Sequence, residues 1–486
     1  MTKVLFTHSY FYKLDQKQWR FKQPYPPLGT LQAASVMRTA GFDVSIFDVG
    51  LKDTPEQIKP ILEEEKPNYL VIYDDGFNYL TKMCLTVMRE AAFSMAEFAK
   101  QQGCKVIISS SDSTDHYEKY LLHGVDYVIR GEGEETLKEL LNSLEKKETL
   151  ETISGLAFQQ NGETVVTKPR AVLRDLDSLP LPSWDLIDIE PYRKLWLKHH
   201  GYFSLNLATT RGCPYKCNWC AKPIYGNRYN SRSPERVVDE IEFLIAQYQP
   251  DHFWMSDDIF GLKPGWIQKF ETLVTSRDLT FKYKIQSRVD LLLEENTIAA
   301  LAKSGAETIW VGAESGSQKI LDAMDKGTTV QQIGEATKLL QAYGIKVAFF
   351  LQFGYLGETK EDIDTTMKMV LDLMPDEIGI SISYPLPGTK FYDNVKSQLK
   401  EKQNWTDSDD LAMMFSSTFT KEYYKELHRY IHSVYRKRKG FKSWSKLLHR
   451  PRYFNAKDLR AALAAFYYVP ASFIRNKKLK QLAATA

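Results

Sequence analysis

Thr209-Thr-Arg-Gly-Cys213-Pro-Tyr-Lys-Cys217-Asn-Trp-Cys220 places three cysteines within eight residues, and the chain has only two others, Cys84 and Cys104. Three thiolates spaced C-x3-C-x2-C can hold three corners of a cubane iron–sulfur cluster, leaving the fourth iron open to a small molecule. Zinc is the rival occupant, but a closed structural zinc site takes four ligands, usually as two C-x2-C-like pairs. The nearest histidines, His199, His200 and His252, complete no such pair. Cysteine usage of this kind argues against a disulfide framework and for a reducing compartment, with Cys84 and Cys104 expected as small buried hydrophobes.

An apolar alternating run over 203–207 precedes the motif and a helical pattern follows it. Together these resemble the first strand and cluster loop of the radical S-adenosylmethionine (SAM) superfamily. The resemblance implies a 4Fe-4S cluster on Cys213, Cys217 and Cys220, with Trp219 lying against the adenine of SAM. It also implies a mechanism. The amino and carboxylate groups of SAM chelate the open iron, and one electron from the reduced cluster breaks the S–C5′ bond. A 5′-deoxyadenosyl radical or a cobalamin-centred reaction follows. The partners implied are a one-electron donor such as flavodoxin or ferredoxin and a small-molecule or lipid-like substrate. The protein's part is to position these groups and exclude water.

At 486 residues the chain is long enough for two to three domains. Its 43% apolar and 26% charged content is that of an ordinary globular protein. The opening Met-Thr-Lys-Val-Leu-Phe-Thr-His reads as a first strand over 4–7 and not as a signal peptide. No apolar run reaches the roughly 18 residues of a membrane span, so a cytoplasmic protein is expected. The net charge of +3 hides an asymmetry: residues 425–480 carry 16 Lys and Arg against two acids, a net of +14. The remaining chain has 48 basic and 59 acidic residues, a net of −11.

Residues 1–145 alternate β-rich runs (4–7, 44–47, 69–73, 106–109, 127–129) with helical stretches (28–40, 55–65, 81–101), the pattern of a doubly wound parallel sheet. Pro26-Pro27-Leu28-Gly29 before a helix, and Gly131-Glu-Gly133-Glu near the end, resemble the Rossmann-like cobalamin-binding-type domain that precedes many radical SAM cores. The resemblance implies cobalamin as a further cofactor, and the sequence departs from the cobalamin pattern in two ways. The Asp-x-His-x-x-Gly loop that supplies a histidine to cobalt is missing, since His8 lacks those partners. Ser109-Ser110-Ser111-Asp112 stands where a glycine pair lets the cobalamin tail approach the backbone. A vestigial domain acting as a lid is the alternative. Asp112, Asp115 and His116 read either as a metal cluster or as a polar loop.

Residues 146–198 form a connector with a hairpin around Asn161-Gly162. Over 199–400, six strands (203–208, 253–256, 281–287, 308–312, 347–353, 378–383) alternate with helices, as in a partial (β/α)6 TIM-type barrel with chemistry at the C-terminal strand ends. The resemblance assigns residues there. Asp257 and Asp258 end the second strand, where the family receives the methionine ammonium; a helix cap is the alternative. Arg288 ends the third and suits the SAM carboxylate, with a structural ion pair as the alternative. Glu314 and Ser315 lie in a Gly-x-Glu-Ser-Gly-like element. Gly354 and Glu358 belong to the turn that borders the adenine, with Leu356 where proline is usual. Tyr384 is a candidate to face substrate; the alternative is a buried tyrosine with its hydroxyl satisfied.

The basic region 401–486 is expected to be helical, with Trp444, Tyr453, Phe454, Phe466, Tyr467, Tyr468 and Phe473 interleaved. It reads as a cap, as an element for an anionic membrane surface, or as a nucleic-acid binder. The chain as a whole resembles the branch of the superfamily that includes the anaerobic magnesium-protoporphyrin ester cyclase. Methyl transfer and hydrogen abstraction with cyclisation both remain open. A tRNA thiomethylase would need further cysteines, and a non-catalytic iron–sulfur sensor leaves the ordered strand-end elements unexplained.

Overall fold

The computed structural model describes residues 2–83, 85–399, 404–408, 410, 414–449 and 451–484. Cys84 lies outside them. Cys104 is buried in the apolar core, as its expected role requires.

The first sheet is built from runs that are apolar on both faces. Its strands are β1 (Lys3–Thr7), β2 (Asp43–Ile46), β3 (Tyr69–Tyr73), β4 (Lys105–Ser109), β5 (Tyr127–Ile129), β6 (Leu156–Gln160) and β7 (Glu163–Val166), in the order 2-1-3-4-5-6-7. Side chains alternate across a strand. Leu5, Leu70, Ile72, Val106 and Ile108 therefore pack toward the helix Thr86–Gln101, and Val4, Phe6, Val71 and Ile107 toward Leu28–Thr39 and Glu134–Lys146. Strands β1 to β5 are parallel, as a doubly wound sheet demands. The order reverses between β1 and β3, and such switch points are where open α/β sheets bind ligands. The hairpin β6–β7, within the segment expected as a connector, pairs antiparallel with β5 and extends this sheet.

The second sheet contains β8 (Ser204–Leu207), then, after the short ribbon β9 (Thr210–Arg211) and β10 (Asn230–Ser231), β11 (His252–Met255), β12 (Lys282–Ser287), β13 (Ala306–Glu314), β14 (Lys346–Phe353) and β15 (Glu377–Ile382). Its six strands are all parallel and follow chain order, with β8 and β15 at the edges, the pairing a partial barrel requires. One face packs Leu205, Phe253, Tyr283, Ile309, Val347 and Phe349 into the main core with the surrounding helices. Register puts Asn206, Trp254, Lys284, Gln286, Trp310 and Phe350 on the other.

Two 29-residue helices, Lys421–His449 and Ala456–Ala484, form a C-terminal hairpin. A helix-interior glycine costs about 1 kcal/mol, yet Gly440 is required here. A Cβ at that position would lie 2.7 Å from both the Ala461 carbonyl and the Ala465 methyl. Tyr423, Tyr424, Leu427, Ile431 and Tyr435 join the core of the second sheet. The hairpin is stapled by the tail's two acids: Glu426 pairs with Arg475 at 3.1 Å, and Asp458 with Lys446 at 2.6 Å.

Candidate functional site

The ribbon β9–β10 closes the loop that carries the three cysteines. Gly212 sits at φ +78°, and a Cβ there would lie 2.3 Å from the Arg228 carbonyl, so the turn into Cys213 admits only glycine. Asp257, buried at the end of β11, fixes the entry. Its Oδ1 accepts from the backbone N–H groups of Thr209 and Thr210, both at 2.7 Å, and its Oδ2 from the Thr209 hydroxyl at 2.6 Å. Burial raises this carboxyl to about 6. Neighbouring Asp258 instead pairs with Lys82, at the end of the short helix Tyr79–Lys82 that follows β3.

Arg211, one residue before the glycine, is the centre of a buried ion triad. Its Nη1 donates to Glu132 at 2.6 Å, and its Nη2 to Glu134 at 2.7 Å. The carboxylates of Gly131-Glu-Gly133-Glu thus tie the first sheet to the cysteine loop. Gly133 packs so closely that a Cβ would lie 2.8 Å from Ser109 and Tyr73 side chains.

The cysteines are half-buried on this loop. Burial raises the Cys213 thiol and pushes Cys220 up to about 12. Within the loop, the Arg288 guanidinium lies 3.7 Å from the centre of the Tyr215 ring. Arg288 also pairs with Asp290 at 3.0 Å and donates to the Lys326 carbonyl at 2.9 Å. The Lys326 ammonium pairs with Glu314 at 2.8 Å, and both side chains are buried. Burial disfavours that ammonium, but Glu314 and the adjacent Cys217 raise its pKa overall. Glu314 occupies a β-bulge at φ +53°. A Cβ on Gly312 would fall 2.4 Å from the Lys326 Nζ and 2.8 Å from the Glu314 Oε1, so the pair occupies the space that glycine leaves.

Asn218 locks the far end of the loop. It donates to the Ala323 carbonyl at 2.6 Å and accepts from the Tyr355 hydroxyl at 2.6 Å. Trp219 packs with Ile320, Met324 and Leu356, and its buried Nε1 has no hydrogen-bond partner. Glu358 is fully buried, with Oε2 accepting from Gly354 N–H at 2.7 Å and Oε1 unpartnered. Burial pushes its carboxyl up to about 8. Two sequence candidates have other employment. Ser315 shares a hydrogen bond with Thr366 at 3.0 Å. Tyr384 donates to the Met83 carbonyl at 3.1 Å and packs on Trp405, which matches the satisfied-tyrosine reading. Lys326 and Tyr355 were not legible as site residues, because each is defined only by contacts across the sheet.

Between the two sheets lies a cavity of about 130 Å³, lined on one side by His8, Gly50, Asp75 and Asn78 and on the other by Trp254 and Lys284. His8 is engaged by Asp48 at 2.9 Å. Lys284 lies 5.1 Å from the ring centres of both Tyr25 and Trp254, pairs with no carboxylate among the described residues, and is lowered to about 8 by burial. Asp112, in the serine-rich turn after β4, is taken up by Arg89 at 2.5 Å and by the Tyr120 hydroxyl at 2.7 Å.

Residues 207–370 match the Radical SAM superfamily model. The chain carries a radical SAM domain. This radical SAM enzyme is similar to an uncharacterized methyltransferase of Pyrococcus horikoshii, 29% identical over 78% of this chain and 81% of the relative. It is also similar to the anaerobic magnesium-protoporphyrin IX monomethyl ester cyclase of Cereibacter sphaeroides, 31% identical over 57% of this chain and 45% of that one. Its fold matches the cobalamin-dependent SAM radical enzyme OxsB, whose structure holds aqua-cobalamin and SAM. The TM-score is 0.74, with 17% identity over 99% of this chain and 72% of OxsB. A radical SAM domain implies a 4Fe-4S cluster and SAM, and the residues present fit them. Three thiols on one braced loop match the donor set of such a cluster, and the buried Trp219 Nε1 and Glu358 Oε1 have no hydrogen-bond partner in the protein.

Proposed function

We propose that Cys213, Cys217 and Cys220 hold the cluster and that SAM lies over the C-terminal ends of β11 to β14. The observation that carries this is the convergence of Arg288, Glu314 and Lys326 on the braced cysteine loop. When bound, cluster and SAM supply a one-electron reductive cleavage of the sulfonium. The chain's own residues do the rest. Asp257 positions the loop, its oxygens being already engaged, and Asp258 is the acid with surface left for the methionine ammonium. The Lys326–Glu314 pair and Arg288 set the charge around the methionine end. Trp219, Gly354 and Glu358 form the adenine wall, with Tyr423 and Tyr424 packed beside it to exclude water.

We divide the chain into 1–145, a cobalamin-binding-type domain; 146–198, a connector; 199–400, the radical SAM core; and 401–486, a basic helical region. The inter-sheet cavity lies at the switch point where such a domain would hold cobalamin, with Lys284 available to an anionic group. At about 130 Å³ it is smaller than the 300–1,000 Å³ of a typical ligand pocket, so a corrin enters only if the 75–81 wall moves. Because the Asp-x-His-x-x-Gly loop is missing from the sequence, bound cobalt would carry no protein histidine; His8 is held by Asp48 through one ring nitrogen. A small-molecule or lipid-like substrate and a one-electron donor are proposed, in line with the named methyltransferase and cyclase relatives. The basic region is proposed to meet an anionic surface.

Anaerobic reconstitution with SAM and reductant, with and without cobalamin, tests the chemistry. Methyl transfer predicts cobalamin-dependent S-adenosylhomocysteine, whereas hydrogen abstraction predicts 5′-deoxyadenosine alone. Absence of both products would sink the reading.

A further inference from the structure

On the C-terminal helix Ala456–Ala484, the residues Leu459, Leu463, Phe466, Tyr467, Phe473 and Ile474 are between 48% and 71% exposed. Their spacing follows the 3.6-residue period, so they form one continuous stripe. Ala462, Ala465, Ser472 and Leu479 occupy the buried face of the same helix. The stripe continues onto the neighbouring helix. Trp444 meets Phe466 edge-on at 6.1 Å, and Lys437 lies 5.7 Å from the Phe473 ring. Phe441 and Leu448, on the same side of that helix by their spacing, are 49% and 76% exposed. An exposed apolar face of this extent on a folded chain marks an interaction surface.

Charge narrows the choice of partner. Glu426 and Asp458 are consumed inside the hairpin, and Arg438, Lys457, Arg460, Lys477 and Lys480 pair with no carboxylate among the described residues. By helical spacing Arg460 and Lys480 flank the stripe on its two sides, and Lys477 falls within it. Among the described residues no helix is long and apolar enough to cross a membrane. An apolar face with aromatics, bordered by lysine and arginine and too polar overall to span, suits a helix lying in the plane of an anionic bilayer.

We propose that this two-helix face docks into the headgroup region of an anionic membrane, with Phe466 and Phe473 entering the apolar zone and the flanking cations meeting lipid phosphates. The inference rests on the anionic-surface reading above and adds an apolar component to it.

The test is flotation of the full-length reconstituted protein with phosphatidylcholine vesicles, with and without phosphatidylglycerol, at low and high salt. The wild type and the double variant Phe466→Asp/Phe473→Asp are compared. Both positions are exposed, so folding is checked by circular dichroism and cluster absorbance. The expected result is wild-type flotation on the anionic vesicles that salt reduces but does not abolish, and at least a tenfold loss in the double variant. Equal flotation of the two proteins would leave the anionic-surface reading standing and overturn the docking of this face. No flotation of the wild type would overturn both. Two further outcomes overturn the proposal by giving the face another occupant. One is a wild-type dimer in vesicle-free solution that the double variant dissociates. The other is RNA retention lost in that variant without any vesicle binding.

Discussion

Arg211 donates to Glu134 at 2.7 Å across 77 residues of sequence, and both side chains are almost fully buried. With Glu132 on the other guanidinium nitrogen, the pair makes the cysteine loop a part of the first domain's last turn. Removing the cation would leave two carboxylates buried side by side. Arg211→Met is therefore expected to destabilise the protein by about 3–5 kcal/mol, read as a lower urea midpoint of cluster absorbance. Arg211→Lys, which keeps the charge but loses the two-pronged geometry, is expected to fall between the two.

The Glu314–Lys326 pair fills the space left by the missing side chain of Gly312. Lys326→Met removes the cation and is expected to weaken SAM binding at least tenfold in anaerobic equilibrium dialysis. Gly312→Ala, whose methyl displaces only the flexible ends of the two side chains, is expected to have a smaller effect. Normal SAM affinity in Lys326→Met would show that the pair is only structural.

Asp257 gives a sharper split between positioning and ligand binding. Asp257→Asn keeps Oδ1 for both N–H groups and can donate to the Thr209 hydroxyl, whereas Asp257→Leu leaves the Thr209 N–H, the Thr210 N–H and the Thr209 hydroxyl without a partner. An unmet buried donor costs about 1–3 kcal/mol. The expected outcome in Asp257→Leu is a lower iron content after reconstitution, with SAM affinity per bound cluster unchanged. A variant with full iron and weakened SAM binding would return Asp257 to the role of a SAM contact.

Much of this architecture was legible in the residues, and what was not shares a physical cause. Strand runs such as Leu70 to Ile72 and the three-cysteine spacing are local patterns, and the sheets follow them. The Glu132–Arg211–Glu134 triad, the Lys326 ion pair and the Asn218–Tyr355 bond join residues separated by 12 to 137 positions, so no local pattern announces them. The resemblance gives Asp257 to SAM; that its oxygens also accept from Thr209 and Thr210 of the cysteine loop, 48 and 47 residues away, no local pattern announces. The helix Lys421–His449 runs through Gly440, unfavourable in an isolated helix, because its missing side chain lets Ala465 approach.

Glu358 sets a pH dependence with a definite sign. Its ordinary value is 4.5, and burial moves it to about 8 in the folded protein. The neutral carboxyl is the form the fold prefers. Its contribution is fully present below about pH 4.5 and is lost as pH rises toward 8. Glu358→Gln stays neutral throughout. The urea midpoint of the variant relative to wild type should thus rise steadily between pH 5 and pH 8. A difference that is flat across this range would mean that Glu358 is ionised in the fold.

The account turns on one braced loop holding one cluster. The most direct measurement is iron content and SAM cleavage after anaerobic reconstitution of the wild type and Cys217→Ala. The account predicts about four irons per wild-type chain, and loss of both cluster absorbance and cleavage in the variant. Cleavage that survives Cys217→Ala, or eight irons per chain, would contradict it.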